Sequence, residues 1–395
     1  MFGIFSTIPS TKTYESKQHL YETSYARVRD IENSNDFGRY LELKTYVESA
    51  EYKNAIQTIR SLSYKASKEY TEEMLWKKLR KNKEVKEFLK KGVESDSDYV
   101  KKYIGLDEKL SSSVFLEQKA YLKNKNRHLD SEPYSKFKEY QGLQKSEAIK
   151  QYYQLQKKYA AVFVEMERWN TTFCEEFSDN KVPAQWDTKP HWTSAILEKN
   201  YSHNTEEHCL TEGKNIQVIG NVAQIVVRRE SCSGTAWDEK MGFVPRDFSY
   251  TSGILSTAQK FQFGYGRLEA KLCIPNVKNI YSVFWLGSEK PTPAISVAHC
   301  CNKRLIMGAY STSENASTTK KKGLLSDSNF YIFRLERTEK MLVWHINGKK
   351  MYECANPTKE PLYMIFTAGV IGKTNDNLLP SAFEIDYVKI TELKK

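Results

Sequence analysis

His299 is followed directly by Cys300 and Cys301 and preceded by the run Ala294-Ile-Ser-Val-Ala. An imidazole titrates near neutral pH and passes protons in either direction. A thiolate beside it would be a nucleophile. The competing reading is that these small residues fill a strand and the thiols pack as small hydrophobes. No Asp or Glu lies between Glu289 and Glu314, so the segment offers no carboxylate as nucleophile or base. Together with Cys174, Cys209, Cys232, Cys273 and Cys354 the chain has seven cysteines, an odd number without a CxxC spacing. Free, mostly buried thiols in a reducing compartment are expected. Asn315-Ala-Ser is a glycosylation sequon that matters only in a secreted chain.

The elements that must hold these residues come from two halves of different periodicity. Residues 1–168 are poor in Gly and Pro, and their apolar residues recur at three- and four-residue steps, which predicts helices. Tyr40, Leu43, Val47, Ser49 and Tyr52 share their spacing with Tyr103, Leu106, Leu110, Ser112 and Phe115. A weaker third copy is Tyr152, Leu155, Tyr159, Ala161 and Val164. The stretch Leu79–Phe88 also aligns without a gap on Leu143–Tyr152. Asn82, Ser146, Ser49 and Ser112 are placed to cap new helices through side-chain oxygens. The expectation is a region of helical repeats acting as a spacer, docking or oligomerisation element. Aromatics among lysines also fit a nucleic-acid surface, but Tyr at helical spacing predicts core, and nucleic acid is not expected as a partner.

Residues 169–395 read differently. Alternating runs such as Ile216-Gln-Val-Ile-Gly, Gln224-Ile-Val-Val-Arg and Leu268-Glu-Ala-Lys-Leu-Cys-Ile predict short strands, with turns such as Asn347-Gly348 between them. The fold class expected is multidomain, an N-terminal helical-repeat region followed by an antiparallel β-jelly-roll sandwich.

From about Phe177 to Ile390 the order of segments resembles the laminarinase-like family 16 glycoside hydrolases, with their concanavalin A-like jelly roll. The segments are Tyr250-Thr-Ser-Gly-Ile-Leu-Ser-Thr, Phe263-Gly-Tyr-Gly-Arg-Leu-Glu-Ala-Lys-Leu and Tyr281-Ser-Val-Phe-Trp-Leu-Gly, then Phe333-Arg-Leu-Glu-Arg-Thr with Leu342-Val-Trp-His-Ile-Asn-Gly-Lys. Pro361-Leu-Tyr-Met-Ile-Phe-Thr-Ala-Gly-Val and Phe383-Glu-Ile-Asp-Tyr-Val-Lys-Ile close the series. The helical half has no counterpart in that family.

The resemblance implies a strand bearing Glu-x-Asp and a second Glu two or three residues later. Retaining hydrolysis needs its two carboxyl groups ~5–5.5 Å apart. Here Ala294 stands for the nucleophile and Ser296 for the helper aspartate. His299 stands for the acid/base in the longer, bulged form of the motif, Ala298 in the shorter form. An inverting route through His299 would need a carboxylate from another strand, for which Glu269 and Asp386 are candidates. The family's cleft implies ligand-binding roles for Trp285, Tyr265, Arg267 and Tyr310. No cofactor is expected beyond the structural Ca²⁺ the resemblance implies, with Asp386 as its ligand.

The formal charge of +11 sits mainly in lysines interleaved with Glu in the first half, a pattern of solvated helix faces. The N-terminus lacks the pattern of a signal peptide, and no apolar run spans a bilayer. A cytoplasmic or virion location is expected. The function expected is that of a catalytically inactive hydrolase-like protein that binds glycan or acts as a scaffold. Its alternatives are a structural component of a phage virion or other assembly, and a divergent active hydrolase of β-glucan-like polysaccharide. The partners expected are a polysaccharide at the jelly roll, and a protein or a second copy at the helices.

Overall fold

The computed structural model describes residues 7–92, 96–190, 200–288 and 290–394. The chain divides into two compact units, one drawn from Met1–Tyr21 and Ala161–Lys395, the other spanning Glu22–Ala160.

The helical unit is built from short helices that stop and restart on capping side chains. Ser49 Oγ accepts from the Tyr52 amide at 3.2 Å and Ser112 Oγ from the Phe115 amide at 3.3 Å, each opening a new helix. Asn82 Oδ1 accepts from the Glu84 amide at 2.8 Å, and Ser146 Oγ from the Ile149 amide at 3.4 Å. The third copy of the spacing behaves differently, because Ala161 offers no capping oxygen and the helix Glu147–Glu167 runs through it unbroken. Ile31, Phe37, Tyr40 and Ile149 form one buried cluster, and Leu79, Val85, Val100 and Tyr103 another. Tyr40 and Tyr103 are therefore core residues, stacked on Tyr140 and Trp76 respectively.

The second unit is a sandwich of two sheets. The larger has eleven strands, its main path running from the Lys349–Ala355 strand through Gly266–Cys273 and Ser381–Leu393 to the long hairpin Val222–Asp238/Gly242–Ser252. The smaller has six, in the spatial order Ala316–Lys322, Arg304–Tyr310, Ala294–Cys301, Ile280–Gly287, Tyr363–Val370, Ile254–Ser256. Pairing is antiparallel except where the short Tyr201–His203 and His208–Leu210 strands run parallel to the arms of the long hairpin. The core between the sheets is made by alternate residues such as Leu268, Ala270 and Leu272 facing Phe284, Leu286 and Phe366. At the Asn347-Gly348 turn both residues have positive φ (47° and 77°), as a two-residue hairpin turn requires.

The segment before Glu22 belongs with the strands. The Asn347 amide donates to Pro9 O at 2.8 Å, and Lys271 Nζ lies 2.8 Å from Glu15 and 2.7 Å from Asp386. Buried Arg337 links further loops of this unit, donating to the carbonyls of Phe263, Gly264, Thr358 and Glu360. Among the described residues its guanidinium meets no carboxylate there. Four neutral acceptors offset its desolvation instead.

All seven cysteines are free, but only Cys273, Cys300 and Cys354 are buried. The expectation of mostly buried thiols is corrected, because Cys174 is exposed and Cys209, Cys232 and Cys301 are only partly buried. Among the described residues no helix is long and apolar enough to cross a membrane.

Candidate functional site

A cleft of about 460 Å³ lies on the face of the smaller sheet turned away from the core. Its floor is written by strand alternation. Tyr281, Val283 and Trp285 face the cleft while Ser282, Phe284 and Leu286 are buried behind them. Ala294 and Ser296 line it from the neighbouring strand, and Tyr310, directly opposite Ala294, lines it from the next.

A β-bulge interrupts the Ala294–Cys301 strand. Pairing with the Ile280–Gly287 strand runs Ser296 to Trp285 and then jumps to Ala298 with Phe284. Val297 and Ala298 both enter the core, so His299, three residues after Ser296, returns to the cleft face. The bulge thus places His299, and not Ala298, on the cleft face. Burial holds the His299 pKa below its usual value, which favours a neutral imidazole. Cys300 points into the core, where burial raises its thiol to about 11, and Cys301 does not line the cleft. A Cys–His nucleophile is thus not assembled.

One wall comes from the Tyr201–His203 strand and the loop after it. Tyr201, His203, Glu206 and Leu210 line the cleft. The Tyr281 hydroxyl donates to Glu206 Oε1 at 2.5 Å, while Glu206 Oε2 accepts from the His203 amide at 2.8 Å. Burial, then the Glu206 carboxylate, push the Tyr281 phenol well above its ordinary pKa, so it remains a donor. His208 lies fully buried behind, its Nδ1 accepting from the Val370 amide at 3.1 Å and its pKa lowered by burial. Glu206 is the functional candidate that sequence reading missed. It sits in a loop with no motif around it, and only the pairing of that wall with the long hairpin brings it over the floor.

Two of the expected ligand-binding residues, Trp285 and Tyr310, line the cleft, and two do not. Arg267 lies on the larger sheet, on the face opposite the buried Leu268, where it pairs with Glu165 at 2.6 Å and Glu336 at 3.1 Å and covers the Trp169 ring. Tyr265 precedes that strand and its hydroxyl donates to Lys359 O at 3.3 Å. Both expectations are corrected, since position next to a cleft strand in sequence does not decide which sheet a strand joins. The proposed bases fail for the same reason. Glu269 accepts from Tyr387 at 2.7 Å on the larger sheet, and Asp386 is paired with Lys271. An ammonium group therefore holds Asp386 where a cation had been considered, and the described residues contain no group of three or more His, Cys, Asp or Glu suited to a metal.

No protein-family model matches the chain. Among curated proteins it is 25% identical over 159 residues to the endo-1,3-1,4-beta-glycanase ExsH of Rhizobium meliloti, covering 37% of this chain and 34% of the relative. The chain thus spans about a third of the length of that curated relative. The laminarinase catalytic domain from Thermotoga maritima matches with a TM-score of 0.47 and 18% identity, over 57% of this chain and 99% of that one. SCLam, a non-specific endo-beta-1,3(4)-glucanase from family GH16, matches with a TM-score of 0.47 and 17% identity, over 57% and 95%. The second half of the chain resembles the family 16 glycoside hydrolases. The helical half lies outside that resemblance.

Proposed function

We propose that the sandwich binds a polysaccharide chain in this cleft without hydrolysing it through a carboxylate pair. The observation that carries the reading is the floor itself, where Ala294, Ser296 and His299 share one face with Trp285 and Tyr310. Aromatic faces stack on sugar rings, and hydroxyl and imidazole groups orient sugar hydroxyls. Ala and Ser supply no nucleophile for an anomeric carbon. Affinity electrophoresis of the full chain through gels containing neutral or acidic polysaccharides is expected to show retardation that Trp285→Ala removes. No reducing ends should accumulate. Migration unchanged in every gel would defeat the proposal.

A second reading has one observation in its favour. Glu206 brings a carboxylate to the cleft that also holds His299, which would serve an inverting route with the imidazole as acid. Reducing ends released by the wild type and lost in both Glu206→Gln and His299→Ala would establish it.

The helical unit is proposed as a docking or self-association element. Its exposed apolar residues, among them Val114, Leu116 and Leu89, support this. A sedimentation analysis giving only monomer, with no partner bound, would count against it.

A further inference from the structure

The register of the smaller sheet carries the floor of the cleft outward toward the edge strand Ala316–Lys322. Residues directly opposed in antiparallel strands share a face. His299 is opposed by Ile306, and Ile306 by Lys320. Cys301 is opposed by Arg304, and Arg304 by Lys322. The face that carries His299, Tyr281 and Trp285 therefore continues onto Arg304, one strand from His299, and onto Lys320 and Lys322, two strand spacings or about 10 Å away. All three cations are exposed, and none is in an ion pair with a described residue. They lie on the last two strands of the sheet, Arg304–Tyr310 and the edge strand Ala316–Lys322.

The described strand positions of the same face carry no negative charge. Among its described positions stand Ala294, Ser296, His299 and Cys301 on one strand and Tyr281, Val283 and Trp285 on the next, with no Asp or Glu on any of the six strands turned this way. Among the described residues, Glu206 is the one carboxylate that lines the cleft, and it belongs to the wall and is tied to Tyr281. A sheet with carboxylates at 294, 296 and 299 would repel an anionic chain lying along it. This sheet, with Ala, Ser and a neutral imidazole there and three unpaired cations beside them, attracts one.

We infer that the ligand of the cleft is an acidic polysaccharide, whose sugar rings lie on Trp285 and Tyr310 and whose carboxylate or sulfate groups meet Arg304, Lys320 and Lys322. The inference rests on the polysaccharide-binding reading above and narrows it to a class. An acidic polysaccharide is favoured over a nucleic acid because the cations are continuous with an aromatic-lined cleft that closes on one side with the Tyr201–Leu210 wall. A nucleic-acid duplex would need a broader cationic surface to track its backbone phosphates.

The test measures binding of the full chain to polygalacturonate (carboxylate groups), dextran sulfate (sulfate groups), neutral laminarin and duplex DNA at two salt concentrations. The wild type is expected to bind one or both acidic polysaccharides more tightly than laminarin, more weakly at high salt. The triple variant Arg304→Gln/Lys320→Gln/Lys322→Gln, whose altered side chains are exposed, should weaken that binding about tenfold or more while leaving the melting temperature unchanged. Which acid binds identifies the anionic group. Tight laminarin binding that the triple variant leaves untouched, without acidic binding, overturns the inference and preserves the polysaccharide reading. Binding of none of the polysaccharides overturns both. DNA binding as tight as that of the acidic polysaccharides, and indifferent to Trp285→Ala, overturns the inference in favour of a general polyanion surface.

Discussion

The indole Nε1–H of Trp344 donates to the carbonyl oxygen of Ser296 at 3.0 Å, in the buried space between the two sheets. That carbonyl lies at the start of the β-bulge, where ladder pairing breaks between Ser296 and Ala298. Trp344 is itself buried at 1% exposure, so neither partner has water to fall back on. A residue of the larger sheet thus holds the backbone kink that sends His299 to the cleft.

Trp344→Phe keeps a ring in the core and deletes the donor. The orphaned carbonyl should cost about 1–3 kcal/mol, read from urea denaturation. Binding in the cleft should weaken as well, because the bulge loses its anchor. A variant of wild-type stability would show that the bulge is held by its own strand.

Tyr281→Phe removes the hydroxyl that ties the Glu206 loop to the floor. The wall should loosen and ligand affinity should fall about five- to tenfold, or about 1–1.4 kcal/mol, less than the about 1.5–3 kcal/mol of a hydrogen bond to a charged group because the bond acts on the ligand only through the wall. Glu206→Gln keeps an acceptor and should lose less. Equal and large losses in both would place Glu206 in direct contact with ligand instead.

Arg337→Lys leaves a charge in place but cannot span four carbonyls with one ammonium. The loss expected is about 3 kcal/mol or more, with a visible drop in the melting temperature. Retained stability would mean that water takes over the freed carbonyls.

Acid should destabilise the sandwich through its histidines. Burial, then the nearby Arg334 charge, lower His345 from 6.5 to about 4, and burial also lowers His208 and His299. The unfolded chain binds these protons first, so stability is full above pH 6.5 and declines as pH falls from 6.5 toward 4. Denaturation midpoints measured across that window should flatten in His345→Gln. An unchanged slope would shift the effect to His208 and His299.

Much of the local structure was legible in the sequence, because the interactions that make it are local. A capping serine reaches an amide three residues on, so Ser49 and Ser112 announce their helices without help from the rest of the chain. Two-residue alternation likewise sorts Tyr281, Val283 and Trp285 from Ser282, Phe284 and Leu286. Tertiary structure decided what alternation leaves open. A strand pattern does not say which sheet the strand joins, so it leaves Arg267 as a cleft residue and Glu269 as a candidate base, although both lie on the larger sheet. Nor does the pattern announce a bulge, whose extra residue flips the face of all that follows, and the choice between Ala298 and His299 waited on the pairing of both neighbouring strands. Glu206 lay further still from view. Its place depends on a parallel contact between a three-residue strand and a distant hairpin, and long-range pairing of that kind leaves no periodic trace in sequence.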